Sequence, residues 1–200
     1  MAIVILKNVR LSYPDLWKPG KAPPSAKPGE QGKYGGQFIM DPDSEAAKAA
    51  QEALIASAKE TFGANWQAIV AEMDKSKKCV RRGDSNLTKD GAVRDGYAGK
   101  LYVVARNKAK PLIIGPKKGA DGQFPVLTEE GGKPYGGCYV NVKVDIKAMK
   151  AFETVPNQIY ATLLTVQFVS DGEAFGAAPG TAEGFDDVEG ATAESGDDLF

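Results

Sequence analysis

Between Gly137 and Lys147 the even positions Cys138, Val140, Val142, Val144 and Ile146 are apolar, while Tyr139, Asn141, Lys143 and Asp145 fill the odd ones. Successive side chains of a strand point to opposite faces, so this pattern dictates a half-buried strand with its odd positions outward. Lys100 to Arg106 repeats it, with Leu101, Val103 and Ala105 inward and Lys100, Tyr102, Val104 and Arg106 outward. In Ala2 to Tyr13, Ile3, Ile5, Val9 and Leu11 alternate against Asn8, Arg10 and Ser12, with Lys7 out of step on the apolar parity. Tyr34 to Met40, Pro111 to Gly115 and Ile159 to Val169 read as further strands. One long helix interrupts them after the second strand: Asp41 is the expected cap, Pro42 the first position, and Ser44 to Phe62 the Ala- and Glu-rich body before Gly63. A shorter helix, Asn65 to Asp74, places Trp66, Ile69, Val70 and Met73 on one core-facing stripe. Short strands with Gly-rich turns favour a closed sheet. The expected fold is mainly β (α+β), an antiparallel barrel of the oligonucleotide-binding type enlarged by a helical insertion.

Charge divides the chain in two. Residues 1–170 hold all 25 Lys and Arg against 17 acids, whereas residues 171–200 hold nine acids and no base. The second stretch, filled with Gly, Ala, Pro, Ser and Thr, has too little apolar content to offset the entropy of ordering it. It reads as a disordered acidic tail on a basic body. A second irregular stretch, Pro14 to Gly32, carries five prolines in nineteen residues and reads as an extended, mobile loop.

Several chemistries are excluded or disfavoured. With no histidine, neither a Ser-His-Asp nor a Cys-His nucleophile can be assembled, nor any zinc site that needs imidazole. Cys79 and Cys138 are too few for a four-thiolate cluster and read as buried free thiols. Asp84, Asp90 and Asp95 with Asp145 suit solvated turns better than a metal-dependent nuclease site. The reading therefore includes no enzyme, cofactor or metal. No apolar run approaches the ~20 residues of a spanning helix, and Met1 to Leu6 lack the basic start of a signal. A cytoplasmic protein is expected.

The outward faces carry the functional signal. Tyr139 with Lys143, and Tyr102 with Lys100 and Arg106, pair aromatic planes with cations. Sequence-tolerant binding of single strands needs that pairing, a ring for each unstacked base and a cation near each phosphate. The densest cationic run, Lys75 to Arg82, adds Arg81 and Arg82. Tyr13, Trp17 and Tyr34 flank the proline-rich loop, where they either stack bases or seal the barrel. At the other end, Asp197, Asp198, Leu199 and Phe200 combine charge with an apolar anchor, a recognition tip for a protein partner.

Val9 to Pro14, Gly32 to Tyr34, Arg82 to Asp84, Gly96 to Gly99, Tyr135 to Asn141 and Phe168 to Glu173 together resemble a phage-encoded single-stranded DNA-binding family first defined only as a domain of unknown function. The resemblance implies an oligonucleotide-binding fold and single-stranded DNA binding in replication or recombination. It also implies that Tyr135 to Asn141 and Gly96 to Gly99, with Tyr97, face the DNA. The reading is then a 1–170 DNA-binding domain and a 171–200 tail that recruits replication or recombination proteins. Tyr97, Tyr102 and Tyr139 stack bases; Arg81, Arg82, Lys100, Arg106 and Lys143 meet phosphates. A strand-annealing mediator, or an interaction protein with no DNA role, are the alternatives.

Overall fold

The computed structural model describes residues 2–22, 24 and 29–176; part of the proline-rich loop and the predicted recognition tip Asp197 to Phe200 lie outside the described residues. In chain order the elements are β1 (Ala2–Asp15), β2 (Tyr34–Met40), α1 (Glu45–Phe62), α2 (Trp66–Glu72), β3 (Val80–Arg82), β4 (Leu101–Asn107), β5 (Leu112–Ile114), β6 (Tyr139–Met149) and β7 (Gln158–Ser170).

Alternation decides how these strands close. The even positions of β6 from Val140 to Ile146, with Cys138 just before it, are fully buried. Registered against them are Leu6 and Val9 of β1 and Leu163 and Val166 of β7, also fully buried. Five strands form a closed barrel in the order β1-β2-β4-β7-β6 and back to β1, with β3 and β5 attached outside. All barrel pairings are antiparallel except β4–β7, where Ala105 faces Ala161 and Arg106 faces Thr162. This is a mostly β, five-stranded barrel with one helical insertion. Phe38, Leu11 and Val103 fill its interior.

α1 packs on β1 and β6 through Ala46, Ala47, Ala50, Ser57, Ala58 and Phe62, one stripe of mostly small side chains that lets the helix approach closely. The Ser57 hydroxyl accepts the Ala148 N–H at 2.8 Å. Ser44, not Asp41, caps this helix: its hydroxyl oxygen accepts the Ala47 N–H, while Asp41 to Ser44 form a turn closed by Ser44 N–H to Asp41 C=O. Pro42 therefore stands in that turn and not at the first helical position. Gly63 ends α1 at a φ of 66°, a backbone state open to glycine. Trp66 is only half-buried, resting on the core beneath Lys59.

Three expectations of the strand pattern need correction. Ile3 and Ile5 are 53% and 52% exposed, while Leu6 and Val9 are buried. A bulge at Lys7 and Asn8 shifts the parity, Asn8 taking a φ of 50° and donating its N–H to the Asn141 amide oxygen. Tyr102, expected outside, is 5% exposed because the 83–99 segment covers the outer face of β4. Asp145, also expected outside, is 6% exposed; one carboxylate oxygen pairs with Lys147 at 2.9 Å and the other has no partner.

Cys79 and Cys138 are free and buried, and burial pushes the Cys79 thiol up to about 12. A thiol held protonated is a poor nucleophile. Cys79 should therefore resist iodoacetamide at mildly alkaline pH until the chain unfolds; labelling at the rate of an exposed cysteine contradicts its placement. Ser57→Ala strands the Ala148 N–H and should cost ~1–3 kcal/mol in urea unfolding. A loss under about 0.5 kcal/mol, the range of surface substitutions, contradicts the helix-to-barrel tether.

Candidate nucleic-acid interface

Strand registers place the predicted residues on the barrel's outer face. Arg81 of β3 faces Tyr102 of β4, Tyr102 faces Ile39 of β2, Ile39 faces Arg10 of β1, and Arg10 faces Tyr139 of β6. Residues paired in register on neighbouring strands share a face. A single row thus crosses five strands, Arg81-Tyr102-Ile39-Arg10-Tyr139. It unites the aromatics of β4 and β6, strands that are separated on this side by β1 and β2.

The 83–99 segment lies on the middle of this row. Tyr97, 1% exposed, meets Tyr102 edge to face at 5.2 Å between centroids. Its hydroxyl donates to the Gln37 side-chain oxygen at 2.8 Å, an oxygen that also accepts from the Asn86 amide at 3.0 Å. The Asp84 carboxylate accepts the Gly99 N–H at 2.7 Å and so closes the segment on itself. Tyr97 and Tyr102 are consequently a packed floor and not the open stacking surfaces expected.

Residues 171–176, on the acidic side of the compositional break, run back over the same face. Lys133 pairs with Asp171 at 2.6 Å, the Tyr135 hydroxyl donates to Gly172 C=O at 2.9 Å, and Phe175 N–H donates to Gly136 C=O at 3.0 Å. Arg10 donates through Nε to Gly137 C=O at 3.2 Å and through Nη2 to Glu173 C=O at 2.7 Å. Its guanidinium carbon lies 4.1 Å from the centroid of the Phe175 ring, a cation–π stack. Gly137, at a φ of 111°, has no room for a side chain: a Cβ there would stand 2.1 Å from Glu173 C=O.

Phe175 lines one of two cavities on this face, and its neighbours Arg10 and Gly96 line the other. The larger, about 1080 Å³, is lined by Tyr13, Tyr97, Tyr135 and Phe175 with Arg94 and Asp95; the smaller, about 470 Å³, by Gly96 and Tyr139 with Lys7, Arg10 and Lys100 against Asp41 and Glu45. Tyr13 is 50% exposed, with the Arg94 guanidinium 5.7 Å from its centroid. Lys100 pairs with Asp41 at the rim of the smaller cavity. The arrangement offers planar side chains, adjacent cations and grooves several side chains long. Among the described residues no cluster of three or more acids, cysteines or histidines is placed to hold a metal.

Of the sequence-predicted residues, Tyr139 and Lys100 meet in the smaller cavity, and Tyr97 walls the larger. Arg81 joins the row by register, but its guanidinium donates to Lys78 C=O at 2.7 Å and Ser76 C=O at 2.8 Å. Arg82 is exposed on β3 opposite Leu101. Arg106 lies at the far end of β4 against Gly35. Lys143 stands beyond the Asn8 bulge between Ile5 and Thr165. Arg10, Phe175 and Arg94 were missed as site residues, while Tyr13, left open between stacking a base and sealing the barrel, lines the larger cavity. Arg10's outward parity was readable between Val9 and Leu11, whereas Phe175 was hidden inside the acidic composition.

A sequence profile of the Enterobacter phage Enc34 ssDNA-binding protein family matches residues 2–199. Putative protein p50 of Acyrthosiphon pisum secondary endosymbiont phage 1 is 34% identical over 199 residues, covering 94% of this chain and 95% of that protein. Among solved structures, the single-stranded DNA-binding protein of bacteriophage Enc34 in complex with ssDNA superposes with a TM-score of 0.66 at 24% identity, over 88% of this chain and 90% of that one. Gp2.5, a single-stranded DNA-binding protein encoded by bacteriophage T7, gives 0.54 at 12% identity, over 94% and 99%. At these identities the structural likeness speaks to the barrel fold.

Burial pushes the Tyr97 phenol up to about 12 from 10.0. The folded state holds this proton more tightly than the unfolded chain, so the contribution is complete below the unfolded value and is lost as pH rises through the folded one. Between about pH 10 and 12, Tyr97→Phe should lose less stability with pH than the parent. Parallel unfolding curves for both chains across that window contradict a buried Tyr97 phenol.

Proposed function

The chain belongs to the family of the Enterobacter phage Enc34 ssDNA-binding protein, and from that premise we propose that it coats single-stranded DNA during phage replication or recombination. The row Arg81-Tyr102-Ile39-Arg10-Tyr139, with its two flanking grooves, is the observation that carries this reading. The strand follows the grooves, a base stacks on Tyr139 or Tyr13, and Lys7, Lys100, Arg82 and Arg94 neutralise phosphates. Such contacts carry little base information, so sequence preference is slight. The protein acts stoichiometrically, as a binder and not a catalyst, in the host cytoplasm.

The acidic end, which carries seven acids beyond residue 176, competes with DNA for the cations Lys7, Arg10 and Lys100 of the smaller groove and recruits replication proteins through Asp197 to Phe200. Tethering raises its effective concentration, on the order of millimolar for short flexible linkers, so weak contacts suffice. Screening by salt weakens the competition.

Titration with oligothymidylate tests the reading. Log affinity should fall linearly with log salt, with a slope of about −0.7 per phosphate neutralised. Lys7→Ala should flatten that slope, and Tyr139→Ala should cost ~1–3 kcal/mol where Tyr139→Phe costs little. Removing residues 177–200 should tighten binding, most at low salt. Equal affinity for duplex and single strand, or a Tyr139→Ala chain that binds like the parent, would count against the stacking surface.

A further inference from the structure

Phe175 occupies a slot built for a flat ring. On one side lies the Arg10 guanidinium, 4.1 Å from the ring centroid and fixed by its bonds to Gly137 C=O and Glu173 C=O. At the ring's edge lies the backbone of Gly96, so close that a Cβ there would stand 2.7 Å from the ring and 3.4 Å from Arg10 Nη1. Gly96 has a φ of 78°, so glycine meets both the conformation and the close approach. The ring packs on the cluster of Ile39, Tyr97 and Tyr102 that forms the floor. A guanidinium on one face, a bare peptide at the edge and an apolar floor read no particular atom of the occupant; they select planarity and π-electron density.

The slot's position matters as much as its chemistry. Arg10 belongs to the row that crosses the sheet, and the slot stands between the two cavities, Phe175 lining one and its neighbours Arg10 and Gly96 the other. A strand running from groove to groove must pass it. The segment that fills it is held by few side chains of its own: Asp171, Glu173 and Ala174 are exposed, and apart from the exposed Lys133–Asp171 pair its hydrogen bonds use its backbone groups at Gly172, Glu173 and Phe175. Phe175 is the one large apolar side chain that the segment packs on the body. That segment also leads directly into the acidic end of the chain.

We propose that the Arg10–Gly96 slot is a nucleobase subsite, and that Phe175 is its resident occupant, displaced when a base of single-stranded DNA stacks on Arg10. The inference rests on the single-strand reading above. It assigns a role to Tyr97 and Tyr102 as well: they support the subsite from below without stacking on a base face.

The test uses the full chain. An oligothymidylate carrying one 5-iododeoxyuridine is irradiated in complex with the unmodified protein, and the cross-linked peptide is mapped. Cross-linking at Tyr97 or Tyr102, the slot floor, is expected; cross-linking on Phe175 overturns the proposal, since it makes the ring a stacking partner. In parallel, Phe175→Ala should bind oligothymidylate about 3- to 10-fold more tightly, as for a site whose competent state is populated a tenth to a third of the time. Because no charge is removed, the salt slope should not change. Unchanged or weaker binding by Phe175→Ala overturns the displacement, while intact binding by the parent leaves the single-strand reading standing. If the parent binds no single strand, both readings fall. Should Phe175→Ala not fold, the cross-link map of the unmodified chain decides alone.

Discussion

Closure of the barrel through the short parallel contact between β4 and β7 is the constraint on which the rest depends. Ala105 faces Ala161 there, both buried, and Arg106 faces Thr162. Two alanines in register let the strand backbones meet without a bulky pair wedging them apart. With that contact made, the β-sheet loses two of its edges and its apolar parity becomes one shared interior. Every outward parity then becomes a candidate working surface. The row from Arg81 to Tyr139 is a product of this geometry, since four separate pairings must all be in register for it to exist.

The outer face so created is only partly open. The 83–99 segment covers the middle of the row through the Tyr97–Tyr102 contact, an edge-to-face pair of a kind that contributes ~0.5–1.5 kcal/mol beyond its burial. Gln37, accepting from both Tyr97 and Asn86, ties the cover to β2. Residues 171–176 cover the Arg10 side. What remains are two grooves, one walled by Phe175 and the other by its neighbours Arg10 and Gly96, each with a cation and an aromatic at its wall. A surface divided in this way suits the proposed function, in which planar bases stack in sequence and their hydrogen-bonding edges go unread.

The parts of this arrangement governed by local alternation were legible in the amino-acid sequence. β6 is the clearest case: Val140, Val142, Val144 and Ile146, with Cys138 just before the strand, fall at every second position and are all buried. Even the misfit was informative, because Lys7 on the apolar parity of β1 marks the bulge that turns Ile3 and Ile5 outward. The helix cap was misjudged because Asp41, Asp43 and Ser44 all offer capping oxygens within one turn, and only the Ser44 bond to Ala47 chooses between them. Tyr102 failed for a different reason. Its parity was right, but its cover comes from residues 83–99, and no rule of spacing along β4 reveals a lid from elsewhere in the chain. Phe175 failed likewise, for composition assigned it to a tail while a glycine at position 96 had left a place for it.

The central claim is that single-stranded DNA lies across the Arg10–Tyr139 side of the barrel and not on the sheet that carries Ile3, Ile5 and Lys143. Hydrogen–deuterium exchange of the full chain, with and without saturating oligothymidylate, tests this most directly. The account predicts slowed exchange in residues 8–14, 94–100 and 137–141, with little change in 2–6 and 143–147. Protection centred on 2–6 and 143–147, with 94–100 and 137–141 unaffected, would contradict it.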